Sequence, residues 1–231
     1  MSSEQVRQYH RQYRIDHADV IKKQKKQYRA IPANKARTKQ TCAKSDLKRR
    51  QIIKLAVFTH YGLCCSLCNE HRLGALNLDH ILGNGSKHRK EINTYNFYSW
   101  IYQQYLETDQ WPEDYRTLCA NCNHLEYLKN RPPLSITKRA TNTRAERAKT
   151  KLNLMNILGG SFCIECGCDN INVLDVHHPN NDGAEHRREL NVIGGHHFYS
   201  VIMRLNDFTS RQLSIMCRSC NSNTAYHRDM V

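Results

Sequence analysis

The sequence predicts an α+β fold in which two tandem copies of one small unit follow a basic helical arm. Three observations predict it: the 231-residue chain matches itself at a shift of 98 residues, four CxxC pairs fall in that same register, and positive charge is crowded at one end. At this length either one large or two small domains are allowed. With 39% hydrophobic residues, 5 Phe and 2 Trp, each half has a thin core of the kind that needs a metal or disulfide staple.

The arm comes first and spans residues 1–43. Net charge is +14, yet residues 1–54 hold 16 Lys/Arg against 4 Asp/Glu, which leaves about +2 for everything after them. A block of one sign contacts phosphate or another anionic surface, whereas a solubilising surface mixes both signs. Gln, Lys, Arg and Tyr (Tyr9, Tyr13, Tyr28) dominate, Gly is absent, and the first proline is Pro32. That composition predicts a helix with little to bury, marginal alone and able to order on a nucleic acid.

The duplication sets the next boundaries: a first unit over residues 44–129, a linker over 130–141 and a second unit over 142–231. Cys65 and Cys68 recur as Cys163 and Cys166, and Cys119 and Cys122 as Cys217 and Cys220. Leu76, His80, Gly85, the His88-Arg89 pair, Asn93 and Asn123 recur as Leu174, His178, Gly183, His186-Arg187, Asn191 and Asn221. Coincidence does not hold a register over so many positions. Each unit opens on an apolar-periodic stretch, predicted to start at Ser45-Asp46 and to stop at Gly62 in the first, and to start at the Thr143-x-x-Glu146 capping box and stop at Gly159-Gly160 in the second. Tyr98, Ile101, Tyr102 and Tyr105, matched by Phe198, Val201, Ile202 and Leu205, follow helical spacing and are read as core. Pro132-Pro133 and Lys138-Arg139 mark the linker.

A structural zinc ion takes four tetrahedral N or S ligands, commonly two CxxC knuckles distant in sequence. Here the knuckles stand 51 residues apart in both copies, Cys68 to Cys119 and Cys166 to Cys217. The predicted cages are Cys65, Cys68, Cys119 and Cys122, and Cys163, Cys166, Cys217 and Cys220. Cys42, Cys64 and Cys168 are surplus to the repeat. No apolar run is long enough to span a bilayer and the first residues are polar and basic. The expected compartment is therefore cytoplasmic and reducing, where paired cysteines bind metal rather than form disulfides.

Between the knuckles lie Leu78-Asp79-His80-Ile81-Leu82-Gly83-Asn84-Gly85 and Val176-His177-His178-Pro179-Asn180-Asn181-Asp182-Gly183, each reading as a strand that enters a loop. A CxxC, then Asp-His or His-His closing a strand, then a CxxC followed directly by Asn resembles the HNH (ββα-metal) endonucleases, phage recombination endonucleases among them. The likeness covers about residues 60–125 and 158–223. It implies two zinc-stapled ββα-metal modules, each a helix, a zinc-stapled hairpin and a C-terminal helix. By that resemblance His80 and His178 are general bases, while Asp79 with Asn123, and His177 with Asn221, hold a catalytic Mg²⁺ or Mn²⁺ in each copy. One divalent ion plus one imidazole titrating near neutrality meets the needs of phosphodiester hydrolysis.

His88, Arg89, His186 and Arg187 recur in register and are expected to contact DNA, since Arg forks onto phosphate and the neighbouring His can reach phosphate or complete the metal shell. Asn93 and Asn191 are read as braces of the catalytic loop. The expected activity is metal-dependent double-strand cleavage of double-stranded DNA, with one centre per repeat, by a monomer with internal twofold symmetry or by a homodimer. Two alternatives stay open: a non-catalytic zinc module that binds DNA or RNA, and an enzyme with one active and one degenerate copy. His177 stands where the first copy has Asp79, so the second copy is the one whose ion site is expected to prefer softer metals or to have decayed.

Overall fold

The structure is a computed structural model that describes residues 3–93, 96–132, 136–209 and 211–228. It divides into two compact units, residues 1–52 and 53–231, so both repeats share the second.

In the first unit, α1 (Ser3–Asp16) and α2 (Ala18–Ala30) bury no residue, as expected of an arm without an apolar face. Ile31, before Pro32, is extended (ψ 119°), because the proline ring excludes the helical conformation at the residue ahead of it. Pro32 then occupies the first position of α3 (Pro32–Tyr61), where a missing N–H costs nothing. The helix predicted to begin at Ser45-Asp46 is thus the far end of a longer one. Residues 33–44 contain no Gly or Pro, and helix-forming side chains carry the backbone through Ser45. Within α3 only Ile53, Val57 and Phe58 are buried, and all three belong to the second unit.

Each repeat in the second unit has the same element order. Repeat 1 contains the end of α3, a single 3₁₀ turn at Leu73–Ala75, β1 (Leu76–His80), α4 (Gly85–Glu91), α5 (Phe97–Thr108), β2 (Tyr115–Cys119) and α6 (Ala120–Asn130). Repeat 2 contains α7 (Lys138–Ile157), β3 (Leu174–His177), α8 (Gly183–Glu189), α9 (Gly195–Leu205), β4 (Ser214–Cys217) and α10 (Arg218–Arg228). The fold is α+β, mostly helical, with two antiparallel two-stranded sheets, β1–β2 and β3–β4. The resemblance implied a hairpin, and each sheet does pair consecutive strands, but two helices rather than a turn join them. As with α3, α7 starts earlier than expected. Thr137 caps it, its Oγ1 accepting from Ala140 N at 3.3 Å, and Thr143 lies inside the helix. Gly62 (φ 114°) and Gly159 (φ 105°) follow the ends of α3 and α7 in backbone that a β-carbon disfavours. Of the predicted linker, residues 133–135 lie outside the described residues.

The cores are small. In repeat 1, Phe58, Leu76 and Leu118 pack with Cys65 and Cys119, and Ile53, Val57, Leu78 and Ile101 form a second cluster. In repeat 2, Met155, Leu174 and Ile215 pack with Cys163, Cys217 and Cys220, beside a cluster around Leu154, Phe198 and Ile202. Leu205, predicted as core, is 54% exposed at the end of α9.

The repeats meet through equivalent parts. Leu125 of α6 packs against the repeat 2 core, and its counterpart Asn223 of α10 closes on Gly74, where a β-carbon would lie 2.7 Å from Asn223 Oδ1. Asn121 N donates to Ser219 Oγ (3.1 Å) and Ser219 N donates to Asn121 Oδ1 (3.0 Å). No helix among the described residues is long and apolar enough to cross a membrane.

Candidate functional site

Register and helix ends assemble the cysteine cages. Leu76 pairs with Cys119 and Leu174 with Cys217, so the second knuckle of each repeat ends the strand opposite the start of the first. The knuckle then turns into a helix whose N-terminus points amide hydrogens at sulfur: Cys122 N donates to Cys119 Sγ (3.3 Å) and Cys220 N to Cys217 Sγ (3.5 Å). All eleven cysteines are free thiols. Cys65, Cys68, Cys119 and Cys122 form one group that could hold a metal ion and Cys163, Cys166, Cys217 and Cys220 another, the sulfurs of each within 4.8 Å of one another. Zinc fits these cages. A tetrahedron with Zn–S of about 2.3 Å has an edge of about 3.8 Å, and the Cys68–Cys119 and Cys166–Cys217 sulfurs lie 3.6 and 3.8 Å apart. Cys42, Cys64 and Cys168 lie outside both groups.

Each cage is followed directly by an asparagine, Asn123 or Asn221, and the one in repeat 2 lines a cleft. In repeat 2, His177 is buried near the end of β3 and its Nδ1 lies 2.9 Å from Asn221 Oδ1. As it stands this is a hydrogen bond from His177 Nδ1–H to the amide oxygen; the same spacing matches the about 3.0 Å between adjacent ligand atoms of a divalent ion bound at about 2.1 Å, which would take the place of that hydrogen. In repeat 1 the corresponding carboxylate has another partner. Asp79 Oδ2 accepts from Arg116 Nε at 2.9 Å, and Arg116 Nη2 donates to Glu126 Oε2 at 3.2 Å.

The two candidate bases share one geometry. His80 Nε2 lies 3.0 Å from His88 Nδ1, and His178 Nε2 lies 3.0 Å from His186 Nδ1. In repeat 2 the chain continues to Asp207 Oδ2, 3.0 Å from His186 Nε2. A carboxylate only accepts, so His186 Nε2 carries hydrogen; with a neutral His186 ring, Nδ1 then accepts from His178 Nε2–H and His178 Nδ1 keeps its lone pair. A β-carbon on Gly183 would lie 3.0 Å from that Nδ1, and one on Gly85 would lie 2.7 Å from His80 Nδ1. Both glycines recur because any side chain would fill the space in front of the imidazole. Burial first, then the neighbouring His186, pushes His178 down to about 4, and burial followed by His88 lowers His80. Both rings are therefore neutral at pH 7.

A cleft of ≈ 450 Å³ opens on this side of repeat 2, lined by His178, Asn181, Gly183, Arg187 and Asn221 among others. At the corresponding positions of repeat 1, His124 and Tyr127 replace the small lining residues Ser222 and Ala225. The His88-Arg89 and His186-Arg187 pairs sit on α4 and α8. Their arginines differ from their histidines: Arg187 lines the cleft, whereas His186 is fully buried and has no surface to offer a phosphate. Its recurrence is explained by the contact with His178. Asn93 (φ 42°) and Asn191 (φ 51°) recur for a backbone reason, since both take the left-handed conformation just past α4 and α8, which asparagine tolerates.

Arg116, Glu126 and Asp207 were not legible as site residues. Arg116 and Glu126 do not repeat at the 98-residue shift, where Ser214 and Thr224 stand; Asp207 does match Asp109 in residue type, but Asp109 lies in the left-handed position after α5. A break in the repeat at positions 116 and 126, coinciding with Asp79 against His177, was the available signal. Compared with protein-family models, with curated proteins and with solved structures, the chain matches none.

Proposed function

We propose that the protein is a metal-dependent endonuclease of the HNH type that hydrolyses phosphodiester bonds in double-stranded DNA. The observation that carries this reading is the repeat 2 cleft, where His178, Arg187 and Asn221 converge, with the buried His177 lying 2.9 Å behind Asn221. A divalent ion between His177 and Asn221 would neutralise charge that develops on the phosphate and the leaving oxygen. His178 Nδ1 takes the proton of the attacking water. Arg187 forks onto a phosphate oxygen and fixes the backbone in the cleft. The four-cysteine cages, holding zinc, fix Asn221 through its neighbour Cys220 and perform no chemistry. The basic arm adds sequence-independent attraction to DNA.

To test this, supercoiled plasmid is incubated with the zinc-loaded protein and Mg²⁺ or Mn²⁺. Cleavage that His178→Ala abolishes supports the reading. Tight DNA binding with no cleavage under any divalent ion would instead assign the chain to non-catalytic zinc-dependent binders.

A further inference from the structure

We infer that the chain holds one catalytic divalent ion rather than two, because Arg116 occupies the repeat 1 site with a built-in cation. The inference rests on the endonuclease reading and deepens it.

Donor chemistry alone favours the opposite outcome. Asp79 is a hard, anionic ligand and His177 a softer neutral one, so repeat 1 ought to be the better Mg²⁺ site. The tertiary contacts reverse this. Asp79 and Arg116 are direct partners across the β1–β2 ladder, and the guanidinium also reaches Glu126, one turn beyond Asn123 on α6. The gap between strand and helix is thus bridged in repeat 1 by Asp79–Arg116–Glu126, whereas in repeat 2 His177 meets Asn221 directly at 2.9 Å. A guanidinium is always charged and suits carboxylates through several donors. Two carboxylates on different elements hold this one, and Asp79 is only 19% exposed. A divalent ion at Asp79 would have to expel Arg116 from both partners or sit beside a fixed positive charge. At the equivalent positions repeat 2 carries the uncharged Ser214, across the ladder from His177, and Thr224. The two copies therefore divide the work: repeat 2 binds the ion, and repeat 1 contributes a metal-free counterpart whose Asp79 is already paired with Arg116.

The test is a titration of the zinc-loaded full-length protein with Mn²⁺, read by the EPR signal of the free ion, with zinc content measured alongside. Mn²⁺ ranks below zinc for such sites and leaves the thiolate cages loaded. The expected result is one tightly bound Mn²⁺ per chain, none in Asn221→Ala, and two in Arg116→Ser combined with Glu126→Thr, which installs the repeat 2 residues. Two ions on the unaltered protein would overturn the inference and leave the nuclease reading standing. So would one ion that survives Asn221→Ala but is lost in Asp79→Asn. Failure to bind any Mn²⁺ would overturn both. The unaltered protein and Asn221→Ala decide the matter even if the double substitution does not fold, which its zinc content reveals.

Discussion

Asn121 and Ser219 occupy the same position in the two repeats and bond to each other, each backbone N–H donating to the other's side chain at 3.1 and 3.0 Å. Contact between equivalent positions is the self-complementary pattern that a twofold relation produces. Both residues lie in the first turn of a helix that leaves a cage, where backbone N–H groups lack intrahelical partners. The interface therefore satisfies donors that each repeat alone would leave to water. Removing one side chain strands a partly buried amide, at a cost of about 1–3 kcal/mol. Asn121→Ala and Ser219→Ala should each lower the urea midpoint, and a double-mutant cycle should give a coupling on the order of 0.5–3 kcal/mol.

The cages should decide whether the second unit folds at all. Apparent zinc binding contributes about 10–16 kcal/mol in small zinc domains, comparable with or larger than the whole stability of a domain, about 5–15 kcal/mol. Metal analysis should find two zinc ions per chain, and Cys119→Ser or Cys217→Ser should release one. A strong zinc chelator should collapse the tertiary signal in near-UV circular dichroism.

Gly183→Ala separates the space in front of His178 from the ring itself. The new β-carbon would stand 3.0 Å from His178 Nδ1 and 3.2–3.3 Å from two ring carbons, so the imidazole must shift, and the urea midpoint measured alongside separates a loss of fold from a loss of geometry. Displacing a reacting group by about 1 Å can cost roughly 100-fold in rate, and plasmid cleavage should fall by about that factor. Equal activity would show that water does not approach Nδ1.

The His178 shift fixes a sign for pH dependence. Burial, and then His186, lowers its folded value to about 4 from an ordinary 6.5, so the unfolded chain takes up a proton first as the solution is acidified. Stability from this group is complete above pH 6.5 and is lost as pH falls toward 4. Thermal unfolding of the zinc-loaded protein should show a smaller loss between pH 6.5 and 4.5 in His178→Gln. Cleavage, which needs the neutral ring, should fall only near pH 4, below the ordinary histidine range.

The arm should act through salt. Lys22, Lys23, Lys25 and Lys26 cluster on the exposed α2, and each phosphate contact removed should flatten the slope of log affinity against log salt by about 0.9. Replacing the four with Gln should weaken binding to any duplex alike, as measured by fluorescence anisotropy across a salt series.

The sequence by itself determined the duplication, both cysteine cages, the helical stripes of α5 and α9, the strands that lead into His80 and His178, and the glycine stop signals after α3 and α7. These features are local or periodic: a knuckle spacing, a helical stripe and a left-handed glycine each state their structure within a few residues. α3 and α7 start well before the capping residues Ser45 and Thr143, because such residues signal a boundary only where the preceding chain cannot stay helical. Only the tertiary structure decided how the recurring residues are used. His88 and His186 both turn inward to the preceding histidine, and only in repeat 2 does a distant carboxylate, Asp207, take the second nitrogen. Asp79 met Arg116 because strand register placed them opposite each other. Pairings between side chains distant in sequence depend on register and packing, and no single residue's chemistry encodes them.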